Sequence, residues 1–174
     1  PNTFHHIQQL RLVFDPNNNL YLHGLYRGNL VLSKDEVLSN NETGYTGVTG
    51  FLAKFSEDMD LRWCYRFAGT MGGATIRKIC FSEQGEIYFA GDFSSNIYIS
   101  RGNHLIVKTK TPPTSHSGRG LFYGKLNGHA DLEFVKYHQQ EKHYTDSDVS
   151  TMWMDELGRS HIIGFYNDSL TIAG

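Results

Sequence analysis

Three oxygen-bearing side chains stand two residues apart in the segment FDPNNNLYLHG near the N-terminus. Asp15, Asn17 and Asn19 match the first, third and fifth positions of a calcium-binding loop, which takes oxygen ligands at that spacing. Such a loop also needs glycine at its sixth position and a bidentate glutamate at its twelfth, and this chain has Leu20 and Tyr26 there. We therefore expect a turn, in which Asn and Gly accept left-handed dihedral angles, rather than a cation site.

Two further acidic pairs could supply oxygen ligands, Asp58 with Asp60 and Asp146 with Asp148. Asp60 recurs as Asp131 before a similar segment, and a carboxylate at such a turn can accept backbone N–H bonds, so a structural role is favoured there. Asp146 and Asp148 lie in the polar run KHYTDSDVS and are the best remaining acidic candidates, although a solvated loop is the favoured interpretation.

Histidine and cysteine offer no metal or nucleophile pattern. None of the nine histidines stands with a cysteine or glutamate at the spacing of a closed zinc site, so we expect scattered surface histidines. Cys64 and Cys80 are the only cysteines, and we expect two semi-buried thiols rather than a disulfide. Because G-x-S-x-G, G-x-x-x-x-G-K-[ST] and H-E-x-x-H motifs are missing from the sequence, it assigns no catalytic, cofactor-binding or metal-ligating residue.

The composition limits the class of fold and the kinds of partner. The chain has 174 residues, a formal net charge of −2 and 39% hydrophobic residues, which fits one domain with an ordinary core. It shows no polybasic surface, so we expect no nucleic-acid partner. No apolar run approaches the roughly 20 residues of a bilayer span, so we expect no membrane insertion. Because the sequence starts at Pro1 without an initiator Met, we expect a processed product or an excerpt of a longer chain.

Two kinds of segment recur along the chain. The first kind occurs three times, at offsets of 67 and 73, as LVFDPNNNLYLHGLYRGNLVL (12–32), ICFSEQGEIYFAGDFSSNIYI (79–99) and MWMDELGRSHIIGFYNDSLTI (152–172). The second kind occurs twice, at an offset of 71, as FLAKFSEDMDLRWCYR (51–66) and FYGKLNGHADLEFVKY (122–137). The chain therefore holds about two and a half periods of roughly seventy residues.

Each recurring segment has the pattern of a β-hairpin. In IRKICFSEQGEIYFAGDF, apolar and polar residues alternate on both sides of a glycine turn, as in paired antiparallel strands. Two hairpins per period make a four-stranded antiparallel sheet, and such sheets stacked face to face are the blades of a β-propeller. We predict ten principal strands, at about 9–15, 18–26, 50–56, 60–68, 75–82, 85–93, 120–126, 131–138, 149–155 and 159–166.

The predicted fold is all-β, a single β-propeller segment over residues 1–174. We place blade one at about 9–68, blade two at about 75–138 and the first hairpin of a third blade at about 149–172. The segments NLVLS, NIYIS and SLTI, which follow the second strand of each copy, are expected to be short extra strands or ordered loop. Because propellers typically close with about four to eight blades, we expect the chain to belong to a larger propeller or to be capped by a partner.

At these residues the sequence resembles a known family. The pattern I-x-x-D-x-x-G-N-x-Y-x-x-G, then a variable stretch, then G-F-L-A-K-F-S-x-x-x-x-L-x-W, is similar to the bacterial β-propeller repeats called SBBP repeats. The matching segments are LVFDPNNNLYLHG, GFLAKFSEDMDLRWCYRFAG, ICFSEQGEIYFAGDF and MDELGRSHIIGFY. The related NHL propellers share the D-x-x-G-N-hydrophobic-Y hairpin. The resemblance implies a secreted or cell-surface scaffold with a binding role rather than one particular reaction.

Two long connections are predicted to carry the binding residues. They join the second and third strands of each blade, at about 33–49 and 94–119, and loops of that length in a compact array are usually functional or mobile. The second connection has a local basic character, for which a solvated loop is the competing interpretation. The predicted partner-binding residues are Tyr45, Arg101, His104, Lys108 and Arg119.

The sequence thus favours a non-catalytic structural and interaction module that docks a protein or a carbohydrate through loops on one face. The remaining blades of the same polypeptide are further expected partners. For the basic connection, an acidic protein surface or a polyanionic glycan fits better than duplex nucleic acid, because neither a recognition helix nor a paired aromatic platform accompanies it. The alternative is an enzyme, a hydrolase or lyase acting on glycans, whose active site on the same face is completed by missing blades.

Overall fold

The computed structural model describes residues 6–39, 48–69, 73–94, 96–102, 104–108, 119–139 and 147–166. This part of the chain is all-β and contains no helix, which confirms the predicted class. Its strands are β1 (His6–Phe14), β2 (Leu20–Arg27), β3 (Asn29–Val31), β4 (Val37–Ser39), β5 (Val48–Phe55), β6 (Leu61–Gly69), β7 (Gly73–Phe81), β8 (Ile87–Ser94), β9 (Ile97–Arg101), β10 (His104–Lys108), β11 (Arg119–Leu126), β12 (Leu132–Gln139), β13 (Ser147–Met154) and β14 (Ser160–Tyr166). The ten predicted principal strands are confirmed to within three residues at each end.

The principal strands pair as two antiparallel meanders and one hairpin. Meander one has the order β1-β2-β5-β6, and meander two has the order β7-β8-β11-β12. The third hairpin, β13–β14, forms a separate two-stranded sheet. Each meander brings together the two kinds of recurring segment in the order that the sequence predicts.

Two links join the meanders into one ten-stranded sheet that curls as a half-barrel. The start of β7 pairs in parallel with the start of β5, through Gly73 opposite Val48 and Ala74 opposite Thr49. The other link is β9, which belongs to the connection within meander two but pairs antiparallel with β6, the last strand of meander one. The predicted extra strands after β2 and β8 are therefore present as β3 and β9, and the corresponding segment SLTI lies outside the described residues.

The five hairpin turns within the recurring segments have the same backbone geometry. In each turn the N–H of the first residue donates to the carbonyl oxygen of the fifth, and its own carbonyl oxygen accepts from the N–H of the fourth, which has a positive φ. This is the geometry of a three-residue loop closed by a left-handed residue. The left-handed residues are Asn18 (φ 61°), Met59 (φ 64°), Gly85 (φ 77°), Ala130 (φ 63°) and Gly158 (φ 73°).

The recurring glycine that ends the motif Y-x-x-G has a steric cause. Gly24, Gly91 and Gly164 each lie opposite an irregularity in the first strand of their unit, where the pairing register shifts. A Cβ atom on Gly91 would lie 1.9 Å from the carbonyl oxygen of Thr75, and one on Gly164 would lie 2.1 Å from that of Asp148. At Gly91 and Gly164 any larger side chain would therefore collide with the neighbouring backbone, whereas at Gly24 a Cβ atom would make a tight contact of 3.1 Å with the Cα of Leu10.

The largest core lies between the two meanders and is aromatic. Phe67 of meander one stacks on Phe122 of meander two with ring centroids 5.8 Å apart, and Phe89 packs edge-on against Phe67 at 5.4 Å. All three side chains are buried. Successive side chains of a strand point to opposite faces of the sheet, so Tyr21 of β2 faces this core and Leu20 faces away from it. On that other face of meander one, Leu20 belongs to a second core, which Leu30 of the β3–β4 hairpin covers.

A smaller core joins the third hairpin to meander two. Val149 and Met152 of β13 pack against Ala90 of β8. Cys80 borders this core, whereas Cys64 is buried in the second core of meander one, and both thiols are free. The expectation of two free thiols is therefore confirmed, but only Cys80 is semi-buried, because Cys64 is 5% exposed.

Large apolar side chains remain exposed at the two ends of this stack. Leu12 and Phe14 of β1 are 59% and 61% exposed, and they alternate with Val13, which packs against the central core. Ile163 and Phe165 of β14 are 53% and 49% exposed. Each terminal unit thus buries one face against its neighbour and leaves apolar side chains exposed on the other, which in meander one the β3–β4 hairpin covers only in part.

Candidate functional site

The two connections between second and third strands meet at one groove. The β3–β4 hairpin lies in the connection of meander one, the β9–β10 hairpin lies in that of meander two, and β6 lies between them. The groove has a volume of about 610 Å³. It is lined by Ser33, Asp35, Glu36, Leu61, Arg62, Trp63, Cys64, Arg101, Gly102, His104 and Ile106.

Two of the predicted partner-binding residues, Arg101 and His104, line this groove. They are direct cross-strand neighbours at the turn of the β9–β10 hairpin. Lys108 lies at the far end of β10, with its ammonium 5.5 Å from the ring centroid of Tyr98. Arg119 starts β11 and pairs with Ser94 in meander two, so it does not belong to the hairpin. Tyr45 lies outside the described residues.

The predicted basic character of this region is partly neutralised. Arg101 donates to the carbonyl oxygen of Ala130 at 3.3 Å and to the carboxylate of Asp131 at 3.5 Å, and its guanidinium lies 5.8 Å from the ring centroid of Tyr65. The groove also carries the carboxylates of Asp35 and Glu36. Both signs of charge therefore face any molecule that enters it.

Asp15, the residue that suggested a cation loop, closes a turn. Its Oδ1 accepts backbone N–H bonds from Asn17 and Asn19, both at 2.9 Å. Its Oδ2 accepts from the side-chain amide of Asn19 at 2.8 Å and from the hydroxyl of Tyr21 at 3.2 Å. Four donors thus satisfy this buried carboxylate, and the turn interpretation is confirmed.

The role predicted for Asp60 and Asp131 was assigned to the wrong end of the turn. The backbone N–H of Asp60 donates to Ser56 Oγ at 3.2 Å, and that of Asp131 donates to Asn127 Oδ1 at 2.8 Å. The side chain that accepts is the first residue of each turn, because from there it reaches N–H groups that the loop leaves unpaired. The carboxylate of Asp131 instead accepts from Arg101.

A polar cluster joins all three units through Arg77 of β7. Its guanidinium contacts Asp92 at 2.5 Å and donates to the side chain of Gln9, on β1, at 2.6 Å. Asp148, on β13, lies 3.4 Å away. The interpretation of Asp148 as part of a solvated loop is therefore wrong, and its partner Asp146 lies outside the described residues. Both carboxylates face one guanidinium, which attracts them and links strands of the three units.

His23 contradicts the expectation of scattered surface histidines. Its side chain is 2% exposed, and its ring donates to the backbone of Ile76 in meander two. Burial lowers the pKa of His23 to about 4, and the positive charges of Arg11 and Lys78 add to this effect. Its Nδ1 atom has no hydrogen-bond partner in the described part of the chain. The imidazole is thus held neutral at the interface between the meanders.

The tyrosine and lysine that recur in the two kinds of segment meet in the folded sheet. Tyr21 stands directly opposite Lys54, and Tyr88 stands directly opposite Lys125. Each ammonium lies over its tyrosine ring, at 5.4 Å and 5.6 Å from the centroid. A cation over an aromatic face contributes about 0.5–1 kcal/mol at a surface site. The contact between the ammonium and the ring gives a structural reason for tyrosine and lysine to recur at these positions.

The two lysines differ in their surroundings. Lys125 lies 2.6 Å from a carboxylate oxygen of Glu86 and 2.9 Å from one of Glu133. The hydrogen bonds that Lys125 donates to these carboxylates raise the pKa of Lys125, and the one to Glu86 lowers the pKa of that carboxyl group. Lys54 instead lines a pocket of about 450 Å³, together with Asn19, Ser56, Glu57, Asp58 and Arg62.

No family model, curated protein or solved structure matches this chain. In the described part of the chain, no helix is long and apolar enough to cross a membrane. Among the same residues, no group of three or more His, Cys, Asp or Glu side chains is placed to hold a metal ion.

Proposed function

We propose that the chain is a segment of a β-propeller that serves as a non-catalytic interaction module, secreted or exposed at a cell surface. One observation carries the binding role: equivalent connections of the two meanders come together at a single groove. Binding residues are commonly presented by connections that a rigid scaffold positions. The resemblance to SBBP repeats supports the propeller architecture and the extracellular location.

The bare ends of the stack support a larger propeller. The apolar side chains of Leu12 and Phe14 at one end, and of Ile163 and Phe165 at the other, are the faces that flanking blades would bury. Two meanders and a hairpin fall short of the four to eight sheets with which propellers typically close. Further blades of the same polypeptide are the proposed occupants of both faces.

The size of the natural protein tests the architecture. An antibody raised against this segment should detect a natural protein whose mass is well above the 19.8 kDa of this chain. A natural product of 19.8 kDa that is monomeric in solution would contradict the larger propeller.

Ligand titration tests the binding role. The natural protein is titrated calorimetrically with neutral and acidic oligosaccharides and with acidic peptides. His104→Ala should weaken whichever ligand binds, whereas Glu36→Gln should weaken only a neutral oligosaccharide, whose hydroxyl groups can donate to the carboxylate. Glu156→Gln, on an exposed turn outside the groove, is the matched control. Equal binding by all variants would place the ligand elsewhere. Release of new reducing ends or unsaturated products from a glycan would instead favour the alternative, a glycan hydrolase or lyase.

A further inference from the structure

Equivalent lysines of the two meanders have opposite electrostatic surroundings. The offsets of 67 and 71 place Asn19 at the position of Glu86, and Arg62 at the position of Glu133. The structure supports the second equivalence, because Arg62 and Glu133 both occupy the register irregularity just after the start of the last strand. In meander two, two carboxylates pair with the lysine. In meander one, an amide and a second cation stand at the equivalent positions.

The replacement leaves two cations together in the pocket of meander one. In the described part of the chain, neither Lys54 nor Arg62 makes an ion pair with a carboxylate. Asn19 cannot replace Glu86, because its amide nitrogen donates to Asp15 at 2.8 Å. The pocket of about 450 Å³ between these groups is therefore lined by an ammonium and a guanidinium that can accept an anion.

Two carboxylates of the same pocket restrict which anion fits. Glu57 and Asp58 lie on the exposed turn between β5 and β6 and line the pocket beside Ser56. A densely charged polyanion would be repelled by them, whereas hydroxyl groups next to a single carboxylate would find acceptors there. The combination of one anionic group with adjacent hydroxyls is the chemistry of a uronic acid.

We propose that this pocket binds the carboxylate of a uronic acid residue within a glycan, with Lys54 and Arg62 pairing the carboxylate. Arg62 also lines the larger groove, so the glycan would continue from the pocket towards Trp63 and His104. An aromatic ring beside polar side chains suits a sugar, which presents both apolar and hydroxyl-bearing faces. This assignment rests on the proposed binding role and names the ligand class for it.

A neutral tetrasaccharide that carries one glucuronic acid residue, and its methyl ester, are the probes, since they differ only in the charge of that one carboxyl group. Calorimetry should show that the acid binds at least about tenfold more tightly than the ester, as expected when charged hydrogen bonds are formed. Arg62→Glu places beside Lys54 a carboxylate equivalent to Glu133, and it should weaken binding of the acid by about the same factor. Lys54→Gln provides a second test that removes the other cation.

Lys34→Glu, which makes a similar charge change at an exposed residue lining neither cavity, is the control and should leave affinity unchanged. Thermal unfolding establishes that each variant is folded. Equal affinity for acid and ester, or unchanged affinity in both Arg62→Glu and Lys54→Gln, would overturn the assignment while leaving the groove as a binding site. Tighter binding of a peptide with one isolated glutamate would overturn the glycan class. Failure of every saccharide and peptide to bind would overturn the proposed function itself.

Discussion

The glycine that recurs opposite the irregular first strands allows a graded test of why it recurs. In Gly91→Ala the new Cβ would lie 1.9 Å from the carbonyl oxygen of Thr75, a backbone atom that cannot rotate away. Relief requires β7 and β8 to separate, so we expect destabilisation of about 3 kcal/mol or more, at the upper end of the cost of overpacking.

Two other glycines calibrate this value. Gly85 has a φ of 77° and open space around a Cβ, so Gly85→Ala carries only backbone strain of about 1–2 kcal/mol, offset in part by the reduced entropy of the unfolded chain. Gly128 has an ordinary φ, and its nearest neighbour, Gln84 O, lies 3.6 Å away. Gly128→Ala should therefore change the free energy of unfolding by less than about 1 kcal/mol.

Urea unfolding followed by circular dichroism measures the three free energies on the same protein. The expected order of destabilisation is Gly91→Ala, then Gly85→Ala, then Gly128→Ala. If Gly91→Ala were no more destabilising than Gly85→Ala, the collision with Thr75 would not be the reason for glycine at this position. A glycine kept only for its backbone freedom would give that result.

Three further outcomes are expected. Because the pKa of His23 falls from 6.5 to about 4 on folding, the unfolded chain binds the additional proton between these values. The free energy of unfolding should therefore be highest above about pH 7 and lower by about 2 kcal/mol at pH 5. His23→Leu should remove this part of the pH dependence, as measured by unfolding curves at several pH values. Lys125→Met leaves Glu86 and Glu133 without their cation and should lower the free energy of unfolding by about 1 kcal/mol at low salt and by less at 1 M salt. An equal decrease at both salt concentrations would contradict an ionic origin. Met59→Gly relieves a left-handed residue that is 61% exposed and should raise the free energy of unfolding by about 0.5–1 kcal/mol, whereas a decrease would show that the side chain stabilises the turn.

Local pattern was sufficient to place the strands and turns. Alternation of apolar and polar residues predicted β7 and β8, and the glycine between them predicted their turn, because each signal arises within a few residues of chain. The role of Asp15 was also predictable, since its four donors lie within six residues of it. For Asp60 the position of the accepting side chain was misjudged, because Ser56 is a weaker signal in the sequence than a carboxylate.

Contacts between distant segments could not be predicted in this way. Pairing of β9 with β6 joins residues of different periods, and no local pattern distinguishes it from pairing within one period. The cluster around Arg77 takes one residue from each of three units, and His23 is buried only because meander two covers it. Such arrangements depend on how complete sheets stack.

The sequence by itself determined an all-β chain of hairpins with a period near seventy residues, because strand alternation, turn residues and recurring positions are written locally along it. It also supplied the difference between the two copies, Asn19 and Arg62 in place of Glu86 and Glu133. Only the tertiary structure decided what that difference does. Cross-strand pairing placed these residues around Lys54 and Lys125, and so converted substitutions far apart in the chain into a neutralised lysine in one meander and a pocket with two cations in the other.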